Sequence, residues 1–198
     1  MKSVTAIVGS YRKGGVTDTA VDEILASARE EGAETRKIYL VDAHIEFCMN
    51  CRKCTRQEGL RRGECCIDDE MGSILDKIEL SDAIVLASPM NFGTVTAIMK
   101  RFIERLVCYA YWPWGMHGPK IRNPRKSKRA VVVVSSAAPS LIARLMSKMV
   151  GLLKTAAGIL GAKTTGVLFI GIAARRPEQE LSRRTRKKAR SLGKKLVS

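Results

Sequence analysis

Five short apolar runs rich in β-branched residues recur along the 198-residue chain, and a stretch with helical spacing follows each one. This alternation constrains the fold more than any other feature. The runs lie at residues 3–8, 35–40, 83–88, 130–134 and 164–172. Between the first two, Val21, Ile24, Leu25 and Ala28 recur at helical spacing up to a stop at Gly32. Residues 69–79 read as a second helix. Val95, Ile98, Met99, Phe102, Ile103 and Leu106 form the stripe of a third, after the Gly93 turn. Residues 140–160 and 177–196 supply two more. Ala83 to Ser88 and Ala130 to Val134 are apolar on both faces, as strands of a parallel sheet covered by helices must be. The expectation is an α/β fold, a doubly wound five-stranded parallel sheet, with residues 1–198 forming a single domain. Residues 44–67 lack periodicity and read as a cysteine-rich insertion after strand two; residues 177–198 read as a basic C-terminal helix.

Charge divides the chain. Lys and Arg exceed Asp and Glu by 35 to 19, net +16. Residues 1–115 carry 15 basic and 17 acidic side chains, net −2, and residues 116–198 carry 20 and 2, net +18. The total alone suggests a nucleic-acid binder. Three basic clusters account for the excess: Lys120 to Arg129, Arg175–Arg176, and Arg183 to Lys188 with Arg190, Lys194 and Lys195. Aromatic residues do not interleave with them, which argues against a single-strand stacking platform. The plain reading is a set of solvated faces; docking of an acidic electron carrier or attraction of anionic cofactors are alternatives. No apolar run reaches the roughly 20 residues of a membrane span, and the N-terminus lacks a signal-peptide pattern, so a cytoplasmic protein is expected.

Ligands of a doubly wound sheet sit beyond the carboxyl ends of the strands. Three loops occupy such positions. Ser10 to Thr17 follows strand one with hydroxyls (Ser10, Thr17), cations (Arg12, Lys13) and two glycines (Gly14, Gly15), and it leads into a helix N-terminus suited to a phosphate. It matches neither the Walker A nor the G-x-G-x-x-G pattern. Ser88-Pro89-Met90-Asn91-Phe92-Gly93-Thr94 follows strand three and offers backbone groups to the edge of a planar ring. Its plain alternative is a turn with Phe92 in the core. Ser135 to Pro139 follows strand four and is small and polar.

Five of six cysteines fall between Cys48 and Cys66. Cys48, Cys51, Cys54 and Cys65 are spaced C-x2-C-x2-C-x10-C, and such thiolates encircle a [4Fe-4S] cluster or a zinc ion, or remain free redox thiols. Arg52, Lys53, Arg56, Arg61 and Arg62 would balance an anionic group there. Cys66 and Cys108 read as packing cysteines, and His44 and His117 as surface or structural residues.

Taken in order, Gly9 to Thr17, the Cys48–Cys51–Cys54 triplet with Cys65 and Asp68–Met71, and Ser88 to Gly93 followed by Lys100 and Glu104–Arg105 resemble the NAD(P)H-dependent FMN reductase and iron–sulfur flavoprotein group of the flavodoxin-like superfamily. The resemblance covers residues 1–108, and residues 129–172 in architecture only. It implies a flavodoxin-like fold and FMN, with the phosphate held by Ser10, Arg12, Lys13 and Thr17, and Gly15 and Val16 also at the cofactor. Pro89, Met90, Asn91, Phe92, Gly93 and Thr94 would contact the isoalloxazine, flanked by Ser135 and Ser136. Tyr11 replaces a usual Pro, Val16 a common Asn and Asn91 a common Tyr. The implied reaction passes electrons between NAD(P)H, or a reduced carrier such as ferredoxin, and a flavin, quinone or iron–sulfur acceptor, with no side-chain acid or base assigned. The aromatic stretch Tyr109 to Trp114 would cover the flavin or form a contact within a homo-oligomer. The rival expectation is a basic α/β protein that binds nucleic acid or another anionic partner without redox activity.

Overall fold

A computed structural model describes residues 1–198 except 175, 177 and 178. Strand β1 (Ser3–Val8) leads through helix α1 (Val16–Glu30) to β2 (Glu34–Tyr39). A one-turn helix α2 (Lys53–Arg56) sits in the cysteine stretch, before α3 (Met71–Glu79). Next come β3 (Ala83–Asn91), β4 (Thr94–Val95), α4 (Ala97–Arg105) and a 3-10 turn at Leu106–Tyr109. A small hairpin of β5 (Ala110–Tyr111) and β6 (Lys120–Ile121) precedes β7 (Lys128–Ser135). Helices α5 (Ser140–Met146) and α6 (Met149–Ile159), strand β8 (Ala162–Ile170) and helix α7 (Arg183–Val197) follow.

The five long strands pair in the order β2-β1-β3-β7-β8, all in parallel. This is the flavodoxin-like doubly wound order expected from the sequence. The chain leaves β1 for β2 on one side and returns to β3 on the other. The crevice therefore opens at the carboxyl ends of β1 and β3. Side chains of β3 and β7 alternate between two cores. Ile84, Leu86, Val132 and Val134 pack with α3, α4 and α6, while Val85, Ala87, Val131 and Val133 pack with α1 and α7.

Four of the differences from the sequence reading bear on the site or the basic half. First, β3 continues past Ser88 to Asn91 and turns back into β4. Phe92 (φ +47°) and Gly93 (φ +77°) both take left-handed backbone at this turn, the geometry that matches strand twist in a two-residue hairpin. The turn leaves Phe92 fully exposed, so it is not core. Second, residues 140–160 form two helices, because Ser147 adopts an extended backbone. Third, β8 spans Ala162–Ile170, where its register with β7 begins at Lys128. Fourth, α7 starts at Arg183, where the Ser182 hydroxyl accepts from the Thr185 N–H at 3.2 Å. Residues 177 and 178, where that helix was expected to begin, lie outside the described residues, as does Arg175.

Helix α7 is not a wholly solvated basic face. It packs on α1, with Gly193 so close to the Ile24 carbonyl that an added Cβ would lie 2.2 Å from the oxygen. Arg186 pairs with Glu23 (3.0 Å), Arg190 with Glu30 (2.6 Å) and Lys194 with Glu31 (2.8 Å). Part of the basic half thus neutralises the acidic helix of the first half. Among the described residues no helix is long and apolar enough to cross a membrane.

Candidate functional site

The crevice at the switch point is a cavity of about 410 Å3, within the usual range for small-molecule sites. At the end of β1, Gly9 meets α4: an added Cβ would lie 2.7 Å from the Met99 Cβ, so only glycine lets α4 approach β1 this closely. Thr96 locks the same junction. Its hydroxyl donates to the Gly9 carbonyl at 2.6 Å and accepts from the Met99 N–H as the cap of α4, and its N–H donates to the Ser88 hydroxyl at 3.1 Å.

The loop after β1 is shaped from within. The Ser10 hydroxyl accepts from the Arg12 N–H and donates to the Arg12 carbonyl, both at 3.1 Å. Asp18, buried in the first turn of α1, accepts from the Gly14 N–H at 2.7 Å, from Lys37 Nζ at 2.7 Å and from the Tyr39 hydroxyl at 3.1 Å. Burial disfavours the charged Lys37, but Asp18 and Asp22 outweigh it and hold its pKa above the ordinary lysine value. No side chain caps α1, whose first two residues, Val16 and Thr17, line the cavity. Helix-terminal N–H groups without an intrahelical partner favour an anion at this point.

Of the residues the sequence singles out, Arg12, Gly15, Val16, Thr17, Pro89, Met90, Asn91, Ser135 and Ser136 line this cavity together. The buried hydroxyls of Thr17 and Ser135 lie 2.6 Å apart and join the two loops. Ser136 hydrogen-bonds to the Met90 sulfur at 3.7 Å. Ser10 shapes the loop and does not line the cavity. Lys13 turns away, pairing with Asp42 at 2.6 Å and lying 5.0 Å above the Tyr39 ring. Phe92, Gly93 and Thr94 stand beyond the cavity wall on the hairpin. Tyr11, Gly14 and Ala137 of the named loops line it too, and the sequence reading missed Ala173, Ala174, Arg176 and Gln179. These four follow β8, whose carboxyl end also opens on the crevice; the rule that placed the other loops applied there too. The donor set suits FMN: a helix N-terminus with Arg12 for a phosphate, and Pro89 to Asn91 facing Ser135 to Ala137 for a planar ring.

A second site is built by the cysteine stretch. Cys48, Cys51, Cys54 and Cys65, with Cys108, line one void of about 20 Å3. Of these, Cys54 and Cys108 are buried, Cys48 is half-buried, and Cys51 and Cys65 are exposed. Burial, then the neighbouring thiols Cys65, Cys48 and Cys51, push the Cys54 pKa up to about 11. Burial pushes Cys108 up to about 12. Hydrogen bonding from the Lys53 backbone, then the Cys66 thiol, holds Cys51 below the ordinary thiol value. Among the described residues no three His, Cys, Asp or Glu side chains are arranged to share one metal ion.

Three arginines hold this stretch in place. The side chains of Arg105, on α4, and Asp69 are 2% and 0% exposed and pair at 2.5 Å. Arg105 also donates to the Glu46 carbonyl (2.8 Å) and the Cys65 sulfur (3.5 Å). Burial opposes ionisation of Asp69, yet Arg105 and the N–H groups of Glu46 and Met71 hold its carboxyl below the ordinary range. Arg122 was read as part of a solvated cluster and is instead buried. It donates to the carbonyls of Cys54 (2.8 Å), Gly59 (3.1 Å) and Cys108 (3.2 Å). Arg52 stacks on Trp112 (3.7 Å) and Trp114 (4.2 Å). The aromatic stretch thus clasps the cysteine segment of its own chain, and the Trp112 N–H donates to the Thr55 carbonyl at 2.7 Å. Gly63 pins the ten-residue insert: an added Cβ would lie 1.9 Å from the Cys54 carbonyl oxygen. Its N–H donates to the Cys108 carbonyl at 2.8 Å.

Residues 2–167 match the model of the family described as NADPH-dependent FMN reductase. An iron-sulfur flavoprotein of Archaeoglobus fulgidus is 37% identical over 113 residues, which are 57% of this chain and 49% of that protein. An iron-sulfur flavoprotein of Methanocaldococcus jannaschii is 38% identical over 102 residues, 52% of this chain and 50% of that protein. The chain spans about half the length of these relatives. Among solved structures, an azoreductase from Bacillus anthracis superposes with a TM-score of 0.74 at 16% identity, covering 98% of this chain and 100% of that one. An FMN-dependent NADH-azoreductase from the same species, in complex with FMN, gives 0.73 at 14% identity with 100% of both chains covered.

Proposed function

Because the chain belongs to the NADPH-dependent FMN reductase family, we propose that it is an FMN-dependent oxidoreductase that moves electrons between NAD(P)H or a reduced carrier and a second acceptor. The observation that carries this reading is the single cavity shared by the uncapped start of α1, Arg12, the Pro89 to Asn91 edge and the joined Thr17–Ser135 hydroxyls. Bound there, FMN would supply hydride acceptance at its N5 atom and onward transfer of single electrons.

The chain's own part is position and electrostatics. The N-terminus of α1 and Arg12 would hold the phosphate. Thr17 and Ser135 set the spacing between the loops that flank the ring. Pro89, Met90 and Ala173, which line the same cavity, would cover part of the ring edge. Exposed Tyr11, on the cavity lining, and Phe92, beyond it, stand where a nicotinamide or another planar acceptor would arrive. Cys48, Cys51, Cys54 and Cys65, which line one void, would hold a [4Fe-4S] cluster, as the names of the relatives suggest. Arg105 and Arg52 would balance its charge. So many free thiols suit a reducing compartment such as the cytoplasm. An acidic carrier of the ferredoxin kind and assembly as a homo-oligomer complete the proposal.

Visible absorption of the anaerobic protein after reconstitution with FMN tests it. Flavin bands that bleach on adding NADPH or NADH are expected, with stoichiometric iron and acid-labile sulfide. A chain that folds but retains no FMN overturns the flavin reading; flavin without iron or sulfide overturns the cluster.

A further inference from the structure

Cys66 has no place in the four-thiol set. It lies outside the void that Cys48, Cys51, Cys54 and Cys65 line. Yet its sulfur is 3.5 Å from the Cys51 sulfur, and both side chains are exposed. Cys51 is held at this spot by its neighbours. Asn50 (φ +52°) and Arg52 (φ +60°) both take left-handed backbone on either side of it. The Arg52 guanidinium is clamped between Trp112 and Trp114. Cys65, the residue before Cys66, is tied by Arg105 from the other side. The two exposed sulfurs thus face each other across a gap that small side-chain rotations reduce to the roughly 2.0 Å of a disulfide.

We propose that Cys51 and Cys66 form an oxidisable thiol pair whose disulfide withdraws Cys51 from the ligand set. The oxidant is a hydroperoxide. The Cys51 sulfur attacks a peroxide oxygen of hydrogen peroxide, the O–O bond breaks, and a sulfenic acid and one water result. The Cys66 sulfur then attacks the sulfenic sulfur, the S–O bond breaks and a second water leaves. Two thiols lose two electrons and two protons, and one peroxide becomes two waters. Cys48, Cys54 and Cys65 remain, one thiolate short of a complete set. The consequence for a cluster rests on the cluster reading above; the disulfide does not.

The test uses the full chain, reduced and freed of iron anaerobically, then exposed to one equivalent of hydrogen peroxide. Titratable thiols are expected to fall from six to four, with fragmentation spectra placing the link at Cys51–Cys66. The Cys66→Ser variant is expected to lose one thiol where the wild type loses two, held as a sulfenic acid that dimedone traps, because no resolving thiol remains beside Cys51. The oxidised wild type should take up no iron and sulfide until treated with dithiothreitol, whereas Cys66→Ser kept reduced should load as the reduced wild type does. Equal thiol loss in both proteins, or a link to Cys48, Cys54 or Cys65, overturns the pair. If reduced wild type takes up no iron or sulfide while the Cys51–Cys66 link forms, the cluster reading fails and the thiol pair stands.

Discussion

Two side chains that look alike in the sequence part company in the fold. Arg12 and Lys13 are adjacent cations in a phosphate-type loop. Arg12 lines the cavity, while Lys13 is committed to Asp42 and the Tyr39 ring. Arg12→Ala is therefore expected to weaken FMN binding about tenfold, equivalent to about 1.4 kcal/mol. Lys13→Ala should change it less than about twofold. Fluorescence titration of the apoprotein with FMN reads both, and equal losses would contradict the geometry. Asp69 carries a pH prediction. Its folded pKa lies below the ordinary carboxylate value, so the charged form is favoured by folding. That contribution is fully present above about pH 4, the unfolded value, and disappears as the pH falls through the lower folded value. The stability difference between wild type and Asp69→Asn, from urea melts, should be large at pH 7 and shrink only below about pH 4. A difference that instead grows on acidification would refute the assigned sign.

The cysteine stretch is an element without regular structure of its own, and its order comes from outside. Arg122 reaches it from β6's trailing end, Arg105 from α4, and Trp112 from the segment between. Three carbonyls share the Arg122 guanidinium, and removing it takes a donor from each, leaving the Cys108 carbonyl with the Gly63 N–H alone. Arg122→Met is expected to cost about 2–4 kcal/mol in urea unfolding. Iron and sulfide retention should drop sharply, because Cys54 and Cys108 lose their common anchor. FMN affinity should stay within about twofold, since the switch-point cavity shares no residue with this anchor. The hairpin β3–β4 teaches a related lesson. Ser88 to Thr94 was legible as a loop beside the ligand because Pro89 and Gly93 punctuate it. Its continuation of β3 as strand was not, because pairing to β7 as far as Pro89 is a property of the neighbour strand.

Across the whole molecule the charge asymmetry acquires a structure. Helix α7 spends several of its cations on the acidic face of α1, while Arg176 reaches the flavin-type cavity and Arg122 the cysteine segment. The remaining positive field still favours anionic ligands. FMN binding should weaken severalfold between about 0.05 and 0.5 M salt, as screening shortens the reach of that field. Calorimetric titration at the two salt concentrations measures it, and a salt-independent affinity would assign the basic half no such role. The strand alternation and the glycine- and hydroxyl-bearing loops were enough, from the sequence alone, to determine a parallel doubly wound sheet and the end of it that opens to a ligand. Both depend on local periodicity and on chain handedness, which neighbouring residues encode. Only the tertiary structure decided that Lys13 leaves the phosphate loop, that Arg122 is buried, that residues after β8 line the cavity, and that Cys66 faces Cys51. Each of these depends on which distant carbonyl, carboxylate or sulfur folding brings within a hydrogen bond's reach, and residue spacing along a chain carries no record of that.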